Sequence, residues 1–204
     1  SSKRKDAQGG AIYNKGTITI AGASTFTDNY VEVNGEKTSN AIHNEGTINF
    51  NGTNIVVNDA ITGENSKSYG NSYKSIFNFA GQQTATSDND VITLNNSLTN
   101  TSTDETLGNI EVNLTKGTLK LGHYDSALLN KKYVGTLGDG VDFNVSGGKL
   151  TTQDGETHDH NLGNLKLSAD LNTSIDVDLN AKTGDKLTGS TAATATEGSK
   201  ILID

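Results

Sequence analysis

The densest group of potential metal-ligating side chains lies between residues 154 and 160. His158 and His160 are two residues apart, and Asp154 and Glu156 come just before them. On a β-strand, side chains two residues apart share a face, so the two imidazoles would form a transition-metal site that a carboxylate completes. The alternative is an exposed polar loop. We favour the loop, and we expect no metal or other cofactor.

A second pair of chemically capable residues is Asp176 and Asp178. The two carboxylates flank Val177 and would share one face of a strand over residues 175–179. Paired carboxylates perform acid–base chemistry in glycoside hydrolysis, and carboxylates also bind calcium. The alternative is a solvated outer strand face whose apolar neighbours point inward, and we favour this second interpretation.

The remaining composition offers little for catalysis. The chain has no Cys and no Trp, and Arg4 is the only arginine. It therefore has no thiolate chemistry, few aromatic platforms for sugars and almost no bidentate anion clamps. No nucleophile motif or phosphate-binding loop is present. We predict that the protein is not an enzyme; the alternative is a β-helical polysaccharide lyase or glycoside hydrolase that uses Asp176 and Asp178.

Charge and hydropathy narrow the class of protein further. The 204 residues carry a net charge of −8, which argues against nucleic acid and anionic membrane surfaces as partners. Only 32% of the residues are hydrophobic and 5% aromatic, which is low for a compact globule of this size. A stack of repeats, each burying a narrow apolar strip, reconciles this composition with a folded chain.

An internal repeat supplies the main structural signal. Residues 11–20 and 41–50 have six identical positions out of ten at an offset of 30 residues. A fixed period of this length is typical of solenoids. Alternating apolar positions predict short strands, and Asn-x-Gly predicts the turns between them through positive φ. The sequence therefore predicts an all-β fold, a right-handed parallel β-helix wound as a single solenoid.

The repeat also assigns a structural part to particular residues. Equivalent positions of successive coils should form ladders, with Asn14 against Asn44, Ile18 against Ile48 and Phe26 against Val56. Positions that vary, such as Tyr13/His43 and Lys15/Glu45, should lie at the surface. The residues predicted to build the scaffold are Gly9, Gly10, Ala11, Ile12, Asn14, Gly16, Ile18, Ile20, Phe26, Asn29, Ala41, Ile42, Asn44, Gly46, Ile48, Phe50 and Val56.

The pattern divides the chain into one short end and one long domain. Residues 1–8 are predicted to be a disordered or cut end, and residues 9–204 a β-helix in which residues 63–109 either continue the coil or carry an insertion. Within it, residues 63–73 are predicted to be a loop or insertion and residues 170–204 the C-terminal coils. Residues 124–133 are predicted to form a short helical turn. The apolar run at residues 201–203 predicts an open strand edge, so we expect the natural protein to continue beyond it.

Two stretches carry a resemblance to a known family. Gly9-Gly10-Ala11-Ile12 followed by Phe26-Thr27-Asp28-Asn29 resembles the repeats in passenger domains of the chlamydial polymorphic outer membrane proteins, which belong to the autotransporter (type V secretion) class. The second copy, Ser39-Asn40-Ala41-Ile42, lacks both glycines. The C-terminal run from Ile175 to Ile203 is similar to the late passenger region of many bacterial autotransporters.

This resemblance implies a right-handed parallel β-helix displayed on, or released from, a bacterial outer membrane. It further implies an extracellular adhesin connected with virulence. Its partner would be a receptor or glycan on a host or neighbouring cell, or another copy of itself. Membrane association would come only through a translocator barrel outside this sequence.

Overall fold

In the computed structural model, which describes residues 8–81 and 90–203, the chain winds as a stack of seven coils. Each coil contributes one strand to each of three faces, and each strand pairs in parallel with its equivalents in the adjacent coils. The third face is a seven-stranded parallel sheet, and strands of the first two faces join in one larger parallel sheet. The predicted all-β parallel β-helix is confirmed. The predicted end at residues 1–8 lies, except for its last residue, outside the described residues.

The first three coils contain most of the sequence repeat. Coil 1 consists of β1 (Ile12–Asn14), β2 (Thr17–Ile20) and β3 (Ser24–Phe26), followed by a hairpin of β4 (Tyr30–Val33) and β5 (Glu36–Ser39). Coil 2 consists of β6 (Ile42–Asn44), β7 (Thr47–Phe50) and β8 (Asn54–Val57). Coil 3 begins with β9 (Ile61–Gly63), carries the hairpin of β10 (Ser66–Ser68) and β11 (Asn71–Tyr73), and ends with β12 (Ile76–Phe79) and β13 (Val91–Leu94).

The last four coils continue the stack, and its longest strands lie in coils 4 to 6. Coil 4 consists of β14 (Ser97–Asn100), a 3₁₀-helix (Glu105–Leu107), β15 (Ile110–Leu114) and β16 (Thr118–Leu121), followed by the hairpin of β17 (His123–Ser126) and β18 (Lys131–Val134). Coil 5 consists of β19 (Thr136–Val145), which spans two faces, and β20 (Lys149–Thr151). Coil 6 consists of β21 (Asp159–Leu167) and β22 (Leu171–Ser174), followed by the hairpin of β23 (Val177–Asp178) and β24 (Thr183–Gly184). Coil 7 consists of β25 (Lys186–Thr188), β26 (Thr194–Ala195) and β27 (Ile201–Ile203).

Hairpins leave the stack at two of its corners. We call the corner after the third face the outer corner; it carries β4/β5, β17/β18 and β23/β24, all antiparallel. The β10/β11 hairpin leaves from the corner between the first and second faces. The β17/β18 hairpin also contacts coil 1, because the Tyr124 hydroxyl donates to the Asp28 carboxylate at 3.3 Å. The range predicted as a loop or insertion, 63–73, thus contains an antiparallel hairpin, and the coils continue on both sides of it.

A single apolar column fills the space between the three faces. The alternating residues of β7 and β12 point inward, and the rings of Phe50 and Phe79 stack at 4.9 Å between centroids. These two rings, like Ile48 and Phe77, are fully buried. Because each strand contributes only two or three inward side chains, a chain with few hydrophobic residues still forms one continuous core.

Ladders of asparagine follow the apolar column on both sides of the sheet. Asn14 and Asn44 pair in register, and the Asn14 amide donates to Asn44 Oδ1 at 2.8 Å. On the outer side of the second face, Asn78 donates to Asn49 at 2.8 Å, and Asn113 donates to Asn78 at 2.9 Å. Ile18 also pairs with Ile48 and Ile20 with Phe50. The predicted ladders of like residues are therefore present in these coils.

The predicted register on the third face is wrong by one residue. Phe26 pairs with Val57, and Val56 pairs with Thr25. Gly52 still stacks on Gly22, so the extra residue of coil 2 enters between this turn and β8. A shift of one residue exchanges the two sides of a strand, and as a result Val57 is fully buried whereas Val56 is only partly buried.

The Asn-x-Gly turns form for a different reason from the one predicted. The residues with positive φ do not include Asn14, Gly16, Asn44 or Gly46. Instead, the Asn14 side chain closes the turn by accepting the Gly16 N–H at 2.9 Å and donating to its carbonyl at 3.1 Å. Glycine is needed in coil 2 because a Cβ on Gly46 would lie 2.2 Å from the carbonyl oxygen of Gly16. Glycine is therefore required at this position by the close approach of the neighbouring coil and not by a positive φ.

Two segments adopt structures other than those predicted. The helical turn predicted over residues 124–133 is wrong, because Tyr124 pairs with Tyr133 across the antiparallel β17/β18 hairpin. The strand predicted over residues 175–179 forms only at Val177 and Asp178, in a hairpin and not in a coil. The coil strand ends at Ser174, and Val177 begins a projecting hairpin, where its side chain is 58% exposed. Alternation of apolar residues does not distinguish a coil strand from a hairpin at a corner.

Candidate functional site

A cluster of histidines and carboxylates lies at the outer corner of coils 4 to 6. His123 is the first residue of β17, and Asp154, Glu156 and His158 lie in the turn that connects β20 to β21. His123 Nδ1 lies 2.7 Å from Asp154 Oδ2. The ring centroids of His123 and His158 are 5.1 Å apart. The side chains of His123, Asp154 and His158 thus lie together at the corner where each coil connects to the next.

Burial differs strongly among these groups. The Asp154 side chain is 6% exposed and that of His158 18%, whereas Glu156 is 53% exposed. Burial opposes ionisation of Asp154, but hydrogen bonds from His123 and from the Glu156 N–H hold the pKa of its carboxyl below the usual range. Asp154 is therefore an anion at neutral pH that faces two imidazoles.

His160 does not share a site with His158, although the sequence placed both on one face. His160 is fully buried, and its Nδ1 donates to the carbonyl oxygen of Gly135 at 2.8 Å. Its Nε2 lies 3.9 Å from Asp185 Oδ1. Because β21 begins only at Asp159, His158 lies in the preceding turn and points towards His123 instead. His123, which was not among the predicted ligands, takes the place expected for His160.

Asp176 and Asp185 hold the turn in place. Asp176 Oδ2 accepts the N–H groups of Asp154 and Gly155, each at 2.7 Å. Asp185, whose side chain is fully buried, accepts the His158 N–H at 2.8 Å. Carboxylates that accept backbone hydrogen bonds in this way fix the backbone that bears the cluster.

The predicted carboxylate pair is split between two tasks. Asp176 stabilises the neighbouring turn, while Asp178 accepts the N–H groups of Asn180 and Ala181 at 2.8 and 3.0 Å. An open cavity of about 370 Å³ is nevertheless lined by both, together with Glu156. The two residues lie on a corner hairpin and not on a flat face of the solenoid, so the outer strand face favoured from the sequence is wrong.

A second polar cluster lies on the first face around Glu45. Its carboxylate accepts hydrogen bonds from the Tyr13 hydroxyl and, at 2.7 Å, from Ser66 of the β10 strand, and it pairs with Lys15 at 3.1 Å. His43 stacks on Tyr13 with ring centroids 5.4 Å apart. Burial lowers the pKa of His43. The prediction that His43 and Glu45 lie at the surface is wrong, since they are 2% and 6% exposed.

Exposed apolar side chains concentrate on the hairpins. Leu128, Val177 and Leu179 lie in the outer-corner hairpins and are 50%, 58% and 83% exposed. Tyr69 and Tyr73 lie in the β10/β11 hairpin and are also exposed. The other exposed large hydrophobics in the described ranges are Tyr13 and the three residues of β27. The coil strands between the two ends of the stack therefore keep their large apolar side chains covered.

Comparisons of the chain with protein-family models, with curated proteins and with solved structures gave no match. Within residues 8–81 and 90–203, no helix has the length and apolar character needed to cross a bilayer. The fold and the corner geometry are therefore the observations from which a function is inferred.

Proposed function

We propose that the protein is an extracellular structural and adhesive scaffold, a β-helical passenger segment displayed on or released from a bacterial surface. The solenoid is the rigid support, and its hairpins are the contact elements for a receptor or glycan on a host or neighbouring cell, or for another copy. The observation that carries this proposal is the location of Tyr69, Tyr73, Leu128, Val177 and Leu179, which expose apolar side chains on hairpins.

Physical reasoning supports the assignment of stability to the coils and of binding to the hairpins. A parallel β-helix separates stability from recognition, because its strands bury the apolar column while corner insertions do not disturb the register. Exposed apolar groups cost solubility, and their grouping on projecting elements is typical of interaction surfaces. The net charge of −8 is compatible with protein and neutral glycan partners.

The test is binding of the whole 204-residue chain to cells and to a glycan panel. A variant carrying Leu128→Ser, Val177→Ser and Leu179→Ser changes only outer-corner hairpins, and a second variant carrying Tyr69→Ser and Tyr73→Ser changes the β10/β11 hairpin. The control is Asn49→Ala, which changes a coil strand. We expect the outer-corner variant to reduce binding at least about tenfold while its circular dichroism spectrum stays unchanged, since it removes three exposed apolar side chains that a partner would bury. Absence of both binding and self-association in the unmodified chain would refute the proposal.

A second candidate function is cleavage of a polysaccharide, favoured by the cavity that Glu156, Asp176 and Asp178 line. The hydrogen bonds that both aspartates accept from backbone N–H groups weigh against it, because they use the carboxylates as turn caps. Release of reducing ends from acidic polysaccharides, lost on Asp178→Asn, would establish this second function in place of the first.

A further inference from the structure

Four ligand-bearing side chains converge at the outer corner on a space between them. One ligand atom each from His123, Asp154 and His158 all lie within 4.8 Å of one another. The exposed Glu156 reaches the same space, since its Oε2 lies 3.6 Å from His158 Nε2. We propose that His123, Asp154 and His158 bind one divalent transition-metal ion of the zinc type, with Glu156 as the fourth ligand.

The separations match those of a tetrahedral site. Zinc bonds of about 2.0–2.2 Å at tetrahedral angles separate neighbouring ligand atoms by about 3.3–3.6 Å. His158 Nε2 lies 3.9 Å from Asp154 Oδ2 and 3.6 Å from Glu156 Oε2. The 2.7 Å contact between His123 Nδ1 and Asp154 Oδ2 is shorter because it is a hydrogen bond. An ion that replaces the bridging hydrogen requires these two atoms to move apart by about 0.6–0.9 Å.

The chemistry of the donor set fits this class of ion. Two imidazole nitrogens with carboxylate oxygens are borderline ligands that suit Zn²⁺ and its neighbours better than Ca²⁺ or Mg²⁺, which require oxygen alone. His158 Nε2 is buried and has no hydrogen-bond partner among the described residues. A buried nitrogen lone pair without a partner is costly, and a metal ion satisfies it.

The backbone that carries the ligands is already held in position. Asp176 binds the N–H groups of residues 154 and 155, and Asp185 binds the N–H of His158. Asp154 itself accepts the Glu156 N–H at 3.0 Å through the oxygen that does not face His123. Such outer-shell support reduces the reorganisation needed on binding and raises affinity.

The ion would strengthen a connection between two elements that the His123–Asp154 hydrogen bond already joins. His123 opens the β17/β18 hairpin, and the other ligands belong to the turn after coil 5. Metal binding would therefore fasten the base of this hairpin to the stack. This role is independent of the proposed adhesive function, because a scaffold can bind the ion whether or not it binds a cell.

The experiment titrates ZnCl₂ into the metal-stripped 204-residue protein and follows the imidazole C2 protons by NMR. The chain contains four histidines, so each resonance can be assigned with single substitutions. We expect one equivalent of Zn²⁺ to shift the resonances of His123 and His158 and to leave that of His43 in place. Calorimetry should give a stoichiometry of one and an affinity at least about tenfold weaker for His158→Asn. His43→Asn, which removes a buried imidazole elsewhere, is the matched control.

The zinc titration of the unmodified protein tests the site even if a variant fails to fold. Zinc that moves His43 first, or that binds at several equivalents without affecting His123, would overturn the assignment. No shift of any histidine at equimolar Zn²⁺ would mean that the cluster is only a hydrogen-bonded His–Asp pair, which would also overturn it. Tetrahedral Co²⁺ absorption in the visible, lost in His123→Asn, would support the site independently.

Discussion

Replacing Asn44 by alanine is expected to be among the most destabilising single changes at a polar position. Asn44 is fully buried, and its amide nitrogen donates to the Gly46 carbonyl at 2.9 Å and to Ser75 Oγ at 3.1 Å. Its oxygen accepts the Gly46 N–H at 3.1 Å and the Asn14 amide at 2.8 Å. Alanine removes these four hydrogen bonds and a fifth, which the amide nitrogen donates to the Ile76 carbonyl at 3.2 Å.

The magnitude follows from the groups left without partners. The Gly46 N–H loses the Asn44 oxygen, whereas the Gly46 carbonyl keeps the Ile76 N–H at 2.8 Å. Asn14 likewise keeps the carbonyls of Gly16 and Thr47 at 3.1 Å. An unpartnered buried N–H costs about 1–3 kcal/mol, and the lost bonds to Ser75 and Asn14 cost about 0.5–1.5 kcal/mol each, so the total is about 2–6 kcal/mol. Asn49→Ala is the control: its side chain is only partly buried, water can replace its bonds, and the expected cost is about 0.5–1.5 kcal/mol.

Urea unfolding followed by circular dichroism measures the free energy of both variants. Because a repeat stack can unfold in parts, amide hydrogen exchange in β1 and β6 should be measured in parallel. We expect exchange in these two strands to accelerate in Asn44→Ala and to change little in Asn49→Ala. If Asn44→Ala costs less than about 1 kcal/mol, or no more than Asn49→Ala, the inner ladder is not a stabilising element and this reasoning is wrong.

Two further predictions concern the core and the surface. Phe79→Ala should lower the free energy of unfolding in urea by about 3–5 kcal/mol, because Phe79 is fully buried against Phe50. Leu128→Ala, at an exposed position, should lower it by under about 0.5 kcal/mol. Equal losses in the two variants would contradict a single packed column. At Asp142, burial opposes ionisation, but hydrogen bonds from Lys166 and two asparagine amides lower the pKa of the carboxyl. Since the pKa is lower in the folded state, this stabilisation is fully present above the unfolded pKa of about 3.9 and is lost as pH falls through the folded value. Asp142→Asn should therefore be less stable by about 1–2 kcal/mol at pH 7, with the difference shrinking below about pH 4; a difference independent of pH would refute the ionic contribution.

Much of the scaffold was predictable from residues 11–20 and 41–50. Two copies of one pattern at an offset of 30 must occupy equivalent positions of successive coils, so the pairs Asn14/Asn44 and Ile18/Ile48 followed directly from it. The prediction failed at Phe26, where a single extra residue shifts the register. An offset measured from identical residues does not show where such an insertion enters, because the residues in the turn have no counterpart to align.

The burial of His43 and Glu45 required the tertiary structure. Both vary between the two copies, and variation usually marks surface positions. Here the β10/β11 hairpin, which only the third coil possesses, covers Glu45 through Ser66, and Tyr13 of the first coil covers His43. Neighbouring coils differ in what they insert, so equivalent positions differ in burial.

The sequence by itself determined the repeat period, the inward-facing apolar positions and the small number of hydrophobic residues that the fold needs. A solenoid places the same residue types at equivalent positions of each coil, at a constant spacing. Only the tertiary structure decided which polar groups meet at the corners. His123 and His158 are 35 positions apart, and neither belongs to a repeat. They come together because each lies where a coil leaves the third face, and successive coils stack those points one above the other.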